Sequence, residues 1–386
     1  MNRMDAPPHH RPAHIGALDG LRGIAILLVI PHNADIFSNS AAWLWPAALL
    51  AHAGWIGVQL FFVLSGFLIT RNLLDSRDAG NYFRAFYWRR VLRIFPLYYL
   101  TLIAGLVLAP RISQLGSGAP ASHQNQVWLW TFLSNWAQPL GLEVSGFSHF
   151  WSLAIEEQFY LLWPGIVLLL AGPRLIWMCA GLVAVAFVSR LVLLHQGANP
   201  DMVYMFTVCR MDALAIGAAA AVLELSGRCT RWLGTHSRAA LGWSAAVLII
   251  LAVTSHAYAV YDRTTLTIGY PLMAAAFAAV ILVLAAQARG LAHWLNRLLS
   301  MGWLRSVGRY SFAMYVFHLP LLVIFGDQIR RVFAFTGSAL PLVYALVAIL
   351  LSYVAGFLSY HLIEKHFLRL KHLVTPRTRA ELRTEP

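Results

Sequence analysis

Apolar runs of about twenty residues, separated by short segments rich in arginine, glycine and proline, recur along the whole chain. They lie near 17–37, 53–73, 91–109, 152–171, 174–194, 209–226, 239–257, 266–287, 306–326 and 340–362. Each is long enough to cross the hydrocarbon as a helix. The pattern predicts an all-α polytopic membrane protein of about ten transmembrane helices. Its parts are a disordered tail over 1–14, a single transmembrane domain over 15–370 and a basic tail over 371–386. The longest connection, Pro110 to Ser148, has no room for a soluble domain. Its aromatic stretch Val127–Trp136 is too short to span and is expected to lie along the interface.

Composition agrees. Hydrophobic residues make up 59 % of 386 positions and charged residues 12 %, with a mean hydropathy of +0.64. The net charge of +13 does not form a basic face, so nucleic acid is not an expected partner. Arginines gather instead in alternate connections. Arg71, Arg77, Arg84, Arg174, Arg228, Arg231, Arg289 and Arg297 fall on one side, against Arg111, Arg263, Arg330 and Arg331 on the other. Lys and Arg in short loops set orientation, so both termini are expected in the cytoplasm of a bacterial inner membrane protein.

Cys179, Cys209 and Cys229 are too scattered for a disulfide framework or a metal site. His9, His10 and His14 sit in the polar tail, which lacks the order of a signal peptide. No bound metal or cofactor is expected.

The chemistry lies in the polar residues inside the spans. Glu156 and Glu157 interrupt the fourth helix, where an acid costs roughly 2.5–3.5 kcal/mol on insertion scales. They are expected to face a cavity or, alternatively, to bond a neighbouring helix. From helix direction they should lie at the depth of His32 in the outer half, about 15 Å from Arg22. His32 follows Pro31, which opens the helix backbone. An imidazole there suits a general base, or equally an inter-helix hydrogen bond. Arg89, Arg90 and Arg93 open the third helix. They read as a topology anchor or, joined by Arg22 at similar depth, as a phosphate grip.

Gly54, Gly57, Gly66 and Ser65 on the second helix suggest close helix packing. Arg210 and Asp212 enter the sixth helix from outside. Ser311, Tyr315 and His318 form a polar stripe on the ninth, facing either a cavity or another helix.

Taken together, Leu18-Asp-Gly-Leu-Arg-Gly23 with His32, Phe61-Phe-Val-Leu-Ser-Gly-Phe67, Arg89-Arg90 with Arg93, Phe150-Trp-Ser-Leu-Ala-Ile-Glu-Glu-Gln-Phe-Tyr160, Arg210 with Asp212, Gly308 through His318, and Glu364 resemble the membrane acyltransferase-3 family. The resemblance covers residues 15 to 366. It implies transfer of an acyl group, usually acetyl, from cytoplasmic acyl-CoA as co-substrate to a hydroxyl of a glycan or glycoside at the outer face.

Carried over, His32 is the catalytic base or transient acyl carrier, with Glu156 or Glu157 as its partner. Arg22, Arg89, Arg90 and Arg93 hold coenzyme A phosphates. Ser65, Arg210, Asp212, Ser311, Tyr315 and His318 line the acceptor site or cavity. The family histidine usually falls one residue further from the arginine, where this chain has Asn33. Some relatives add a soluble esterase-like domain after the helices; here the chemistry is expected to be completed by the membrane domain or a separate glycan-assembly partner. The competing reading is a secondary transporter or exporter of a polysaccharide precursor, which would also line a path with charge. Internal halves, a common transporter sign, are not evident.

Overall fold

The computed structural model describes residues 15–37, 40–108, 125–142, 144, 146–170, 172–256, 258–287 and 289–374. The tail 1–14, Arg111 and the residues after 374 lie outside them. Among the described residues there are helices and turns but no strand. The long helices are α1 (Gly16–Ala34), α3 (Ile56–Asp75), α4 (Tyr82–Leu102), α7 (Trp151–Leu169), α8 (Pro173–His195), α10 (Thr207–Leu225), α11 (Arg228–Thr254), α12 (Tyr270–Ala285), α14 (Gly302–Val332) and α15 (Leu340–Ser359). Between them run the short helices α2 (Trp45–His52), α5 (Gln126–Trp130), α6 (Ser134–Ala137), α9 (Pro200–Met205), α13 (Leu291–Leu299) and α16 (Lys365–Arg369).

These long helices coincide with the ten apolar runs. Among the described residues, eight helical stretches are long and apolar enough to cross a membrane. The other two, α1 and α7, have 19 residues each and are less apolar because they carry Asp19, Arg22, Glu156 and Glu157. These two helices are also central. α1 packs on α2, α3, α13, α14 and α15, while α7 packs on α3, α6 and α10. By contrast, only 22 % of the apolar window of α8 and 17 % of that of α11 is buried. Their outward Val188, Ile249, Ile250 and Val253 form the kind of apolar surface that lipid, not water, solvates.

Glycine sets the closest crossings. A methyl group at Gly308 of α14 would stand 1.8 Å from the carbonyl oxygen of Asp19 in α1, and one at Gly66 of α3 would stand 2.0 Å from that of Leu214 in α10. The packing role expected for Gly66 is therefore realised, since only a residue without Cβ permits such backbone contact.

The aromatic segment 127–136 does not simply line the interface. Leu129, Ser134, Asn135 and Ala137 are fully buried. Asn135 Nδ2 donates to Thr207 Oγ1 at 2.9 Å and to the Met205 carbonyl at 3.1 Å, while Gln158 Nε2 of α7 donates to Asn135 Oδ1 at 2.9 Å. Amide groups in apolar surroundings need such partners, and satisfying them draws the segment inward.

Candidate active site

One cavity of about 350 Å³ runs between α1, α3, α4, α7 and α14. On α3 its wall extends from Val58 to Asn72, about 21 Å at the helical rise per residue. Arg22, Arg90 and Arg93 line it together with Ser65, Glu156 and Tyr160; Ser152, Ser311 and Tyr315 line it further along α7 and α14.

Arg90 and Arg93, three residues apart, share the face of α4 that meets the cavity. Arg89 is not on that lining. Of the three arginines expected to grip phosphate from this helix, Arg90 and Arg93 line the cavity. The Arg90 guanidinium lies 5.4 Å from the centre of the Tyr160 ring and 5.8 Å from that of Phe86, within cation–π range.

Glu156 joins these arginines rather than His32. The physical reason lies just before α7. Ser148–Phe150 forms a single 3-10 turn in which His149 and Phe150 are buried. α7 therefore begins beneath the surface, and its second turn reaches the arginines. Tyr160 Oη donates to Glu156 Oε2 at 2.7 Å, and Ser65 Oγ is hydrogen-bonded to Tyr160 Oη.

Glu157, about 100° around the helix, is absent from the cavity wall. Its Oε1 is buried without a hydrogen-bond partner.

His32 stands outside the cavity lining. Its Nδ1 is 3.0 Å from the carbonyl oxygen of Ala51. A carbonyl only accepts, so the proton sits on Nδ1 and Nε2 is left as acceptor. Neither Glu156 nor Glu157 takes the partner position expected of it.

The next residue, Asn33, turns to α14, where its Nδ2 lies 2.8 Å from His318 Nε2; His318 Nδ1 is 2.6 Å from the Tyr315 carbonyl. The His318 and His149 ring centres are 4.6 Å apart. Tyr315 Oη donates to the His149 carbonyl at 2.7 Å and lies 2.6 Å from Ser152 Oγ. Of the α14 stripe, Ser311 and Tyr315 reach the cavity, whereas His318 bonds α1 behind it.

Arg210 and Asp212 are elsewhere. Asp212 pairs with Arg190 of α8 at 2.7 Å, both side chains being fully buried. Arg190 Nη1 also donates to the Cys209 carbonyl at 2.5 Å. The Arg210 guanidinium sits 4.0 Å from the centre of the Tyr270 ring and within 5.8 Å of Phe62, Trp151 and Tyr204. These two residues form an internal charge cluster instead of an acceptor wall.

Several participants carried no assignment from sequence. Tyr160 follows Glu156 by four residues, a spacing that puts two side chains on one helical face. Arg190, a lone arginine inside an apolar run, carries the usual signal of an intramembrane charge needing a partner. Arg71 also lines the cavity and pairs with Glu224 of α10 at 3.4 Å. After α16 the chain folds back on α4, where Trp88 Nε1 donates to the Leu370 carbonyl at 3.3 Å. That return brings Lys371 into the electrostatic neighbourhood of Arg89, Arg90 and Arg93.

Among the described residues no group of three or more His, Cys, Asp and Glu side chains is arranged to hold a metal ion.

A family model described as an acyltransferase domain matches residues 15–361. YrhL of Bacillus subtilis, provisionally assigned as a peptidoglycan O-acetyltransferase, is 30 % identical over 92 % of this chain and 55 % of its own. The peptidoglycan O-acetyltransferase OatA of Listeria monocytogenes is 27 % identical over 81 % of this chain and 50 % of its own. The O-acetyltransferase OatA of Staphylococcus aureus is 26 % identical over 92 % and 57 %. The chain thus spans about half the length of the curated relatives it matches. No solved structure matches. Because the family match runs from the start of α1 through the end of α15, the chain belongs to the acyltransferase-3 family.

Proposed function

We propose that this protein transfers an acyl group, in the first instance acetyl, from acyl-CoA entering at the arginine side of the cavity to a hydroxyl of a glycan met at the other end. The observation that carries this reading is the joint presence of Arg22, Arg90, Arg93 and Glu156 on one cavity wall. A diphosphate-bearing donor needs several guanidinium forks within reach of one another. An acyl transfer needs a proton acceptor beside them. Two carboxylates line the cavity, Asp19 and Glu156; Glu156, which accepts from Tyr160, takes the catalytic role, directly or through Tyr160. His32 belongs to the polar layer beyond the cavity's outer end, where it orients the acceptor.

The acceptor is a carbohydrate hydroxyl. Peptidoglycan is the first to try, because it is the acceptor in the relatives' names. The arginine asymmetry of the connections supports a reading with both termini and the donor on the cytoplasmic side of an inner membrane.

The test is incubation of the purified protein with acetyl-CoA labelled in the acetyl group and with peptidoglycan fragments, capsule or O-antigen oligosaccharides. Label in one glycan supports the reading. Donor left intact with every acceptor overturns it. Single-cysteine reporters near Asn81 and Asn199 report the orientation: the first should be shielded from impermeant thiol reagents in intact cells and the second labelled. A labelled Asn81 reporter would reverse the assigned faces. An exporter would move an already acetylated glycan and would not consume acetyl-CoA.

A further inference from the structure

We infer that Ser65 is a transient acyl carrier, activated by a hydrogen-bond chain through Tyr160 to Glu156. This rests on the acetyl-transfer reading above. Three observations support it: all three side chains line the one cavity, their polar atoms are in hydrogen-bond contact, and an ionised Glu156, which can only accept, sets the order of donation.

Tyr160 Oη donates to Glu156 Oε2 at 2.7 Å. A phenol has a single proton, so Tyr160 can meet Ser65 only as an acceptor. The Ser65 hydroxyl therefore donates to Tyr160, and the chain runs Ser65 to Tyr160 to Glu156. A helix-packing serine would more simply bond the carbonyl one turn back on its own helix, as Thr101 does with Leu97 and Ser352 with Ala348. Ser65 instead reaches across from α3 to α7 and borders the same space as Arg22, Arg90 and Arg93.

The arrangement matches the general form of an activated nucleophile, in which a weak hydroxyl is coupled to a base that is itself oriented by a third group. In the first step Ser65 Oγ attacks the thioester carbonyl. The Ser65 proton passes to Tyr160 while Tyr160 gives its own to Glu156. The carbon–sulfur bond breaks, and the coenzyme A thiolate takes the proton from Glu156 as it leaves. In the second step the acceptor hydroxyl attacks the serine ester. Its proton enters the same chain through Tyr160 and Glu156 and returns to Ser65 as the ester bond breaks. One thioester is exchanged for one oxygen ester, with no net proton taken up or released. Arg90, 5.4 Å from the Tyr160 ring centre, places positive charge beside the site where the oxyanion develops.

The deciding experiment uses the purified full-length chain and acetyl-CoA labelled in the acetyl group, first without acceptor. The expected result is a burst of free coenzyme A no larger than the amount of enzyme. It should coincide with one added acetyl mass on the peptide containing Ser65, and the label should move to glycan when acceptor is added. Tyr160→Phe, a small change, should slow the burst by about 10²–10⁴-fold while leaving the affinity for a non-hydrolysable acetyl-CoA analogue unchanged, a split that a merely structural tyrosine would not produce. Ser65→Cys should accumulate a hydroxylamine-sensitive thioester at position 65.

If the wild-type protein acetylates glycan but shows neither burst nor label at Ser65, the carrier is overturned and the acetyl-transfer reading survives. The same holds if Ser65→Ala retains transfer. If the wild type never consumes acetyl-CoA, both fall together.

Discussion

Two clusters of buried charge sit within one helical bundle and meet opposite fates. Around Arg190, Asp212 and Arg210 the groups are closed on one another: a fully buried ion pair at 2.7 Å beside a guanidinium enclosed by four aromatic rings. Around Arg22, Arg90, Arg93 and Glu156 the charges border open space. Removing charge from the apolar bundle is costly in both places. In the first, Asp212 compensates Arg190, and aromatic rings alone face Arg210, whose guanidinium nitrogens have no hydrogen-bond partner; in the second a cavity is left into which a ligand can bring the compensation. An intramembrane charge is therefore informative about function only once its partners have been counted.

The sharpest way to test this contrast is Glu156→Gln. The isosteric change keeps the Tyr160 contact but removes the proton acceptor, so transfer should fall by about 10²–10⁴-fold. The amount of folded protein in the membrane should stay near normal, which detergent-solubilised size-exclusion profiles can check. Preserved turnover would move Glu156 into the structural class.

Asp212→Ala makes the mirror-image prediction. It strands Arg190 in the bundle, and breaking such a pair typically costs about 3–5 kcal/mol. Thermal unfolding in detergent should shift sharply downward, and whatever protein survives should keep its KM for acetyl-CoA. A stable but inactive variant would show that the closed cluster takes part in turnover.

Smaller effects are expected from the phosphate grip. Arg90→Gln and Arg93→Gln each remove charge-assisted hydrogen bonds of about 1.5–3 kcal/mol. The KM for acetyl-CoA should rise accordingly, with the KM for acceptor little changed. Lysine should restore only part of the loss, having no planar fork. Arg89→Gln, off the cavity wall, should change donor KM less than either.

The smallest effect concerns the neighbouring acid. Glu157→Gln, off the cavity and without a hydrogen-bond partner at Oε1, should leave transfer within about tenfold of wild type, less than the lower bound for losing an acid–base group. A loss equal to that of Glu156→Gln would mean that the two carboxylates act as one unit.

The polytopic all-helical architecture and the placement of the long helices along the chain were legible because a twenty-residue apolar run has few structural alternatives in a membrane. The arginines and Glu156 were legible too, as residues that hydrocarbon disfavours. Their grouping was not. Depth read from helix direction assumes that each helix starts at the membrane surface, whereas α7 starts inside the protein on the buried turn Ser148–Phe150. Arg210 and Asp212, two positions apart in sequence, suggested a common site. Asp212 instead finds its partner on α8, a long-range pairing that periodicity cannot reveal. His32 and Asn33 are adjacent in sequence, yet the turn of the helix sends one to Ala51 and the other to His318.

The contact of Gly308 with the Asp19 carbonyl, and of Gly66 with that of Leu214, has a further consequence. A methyl group at Gly57 of α3 would likewise stand 2.4 Å from the Ala25 carbonyl oxygen of α1, and where backbone meets backbone there is no side chain to yield, so α1, α3, α10 and α14 hold one another in fixed register. Arg22 on α1 and Ser65 on α3 are then graduations on a rigid scale. A donor gripped at its phosphates would be measured by the length of the arm to its thioester, and one that is a few bonds too short or too long would bind without reacting.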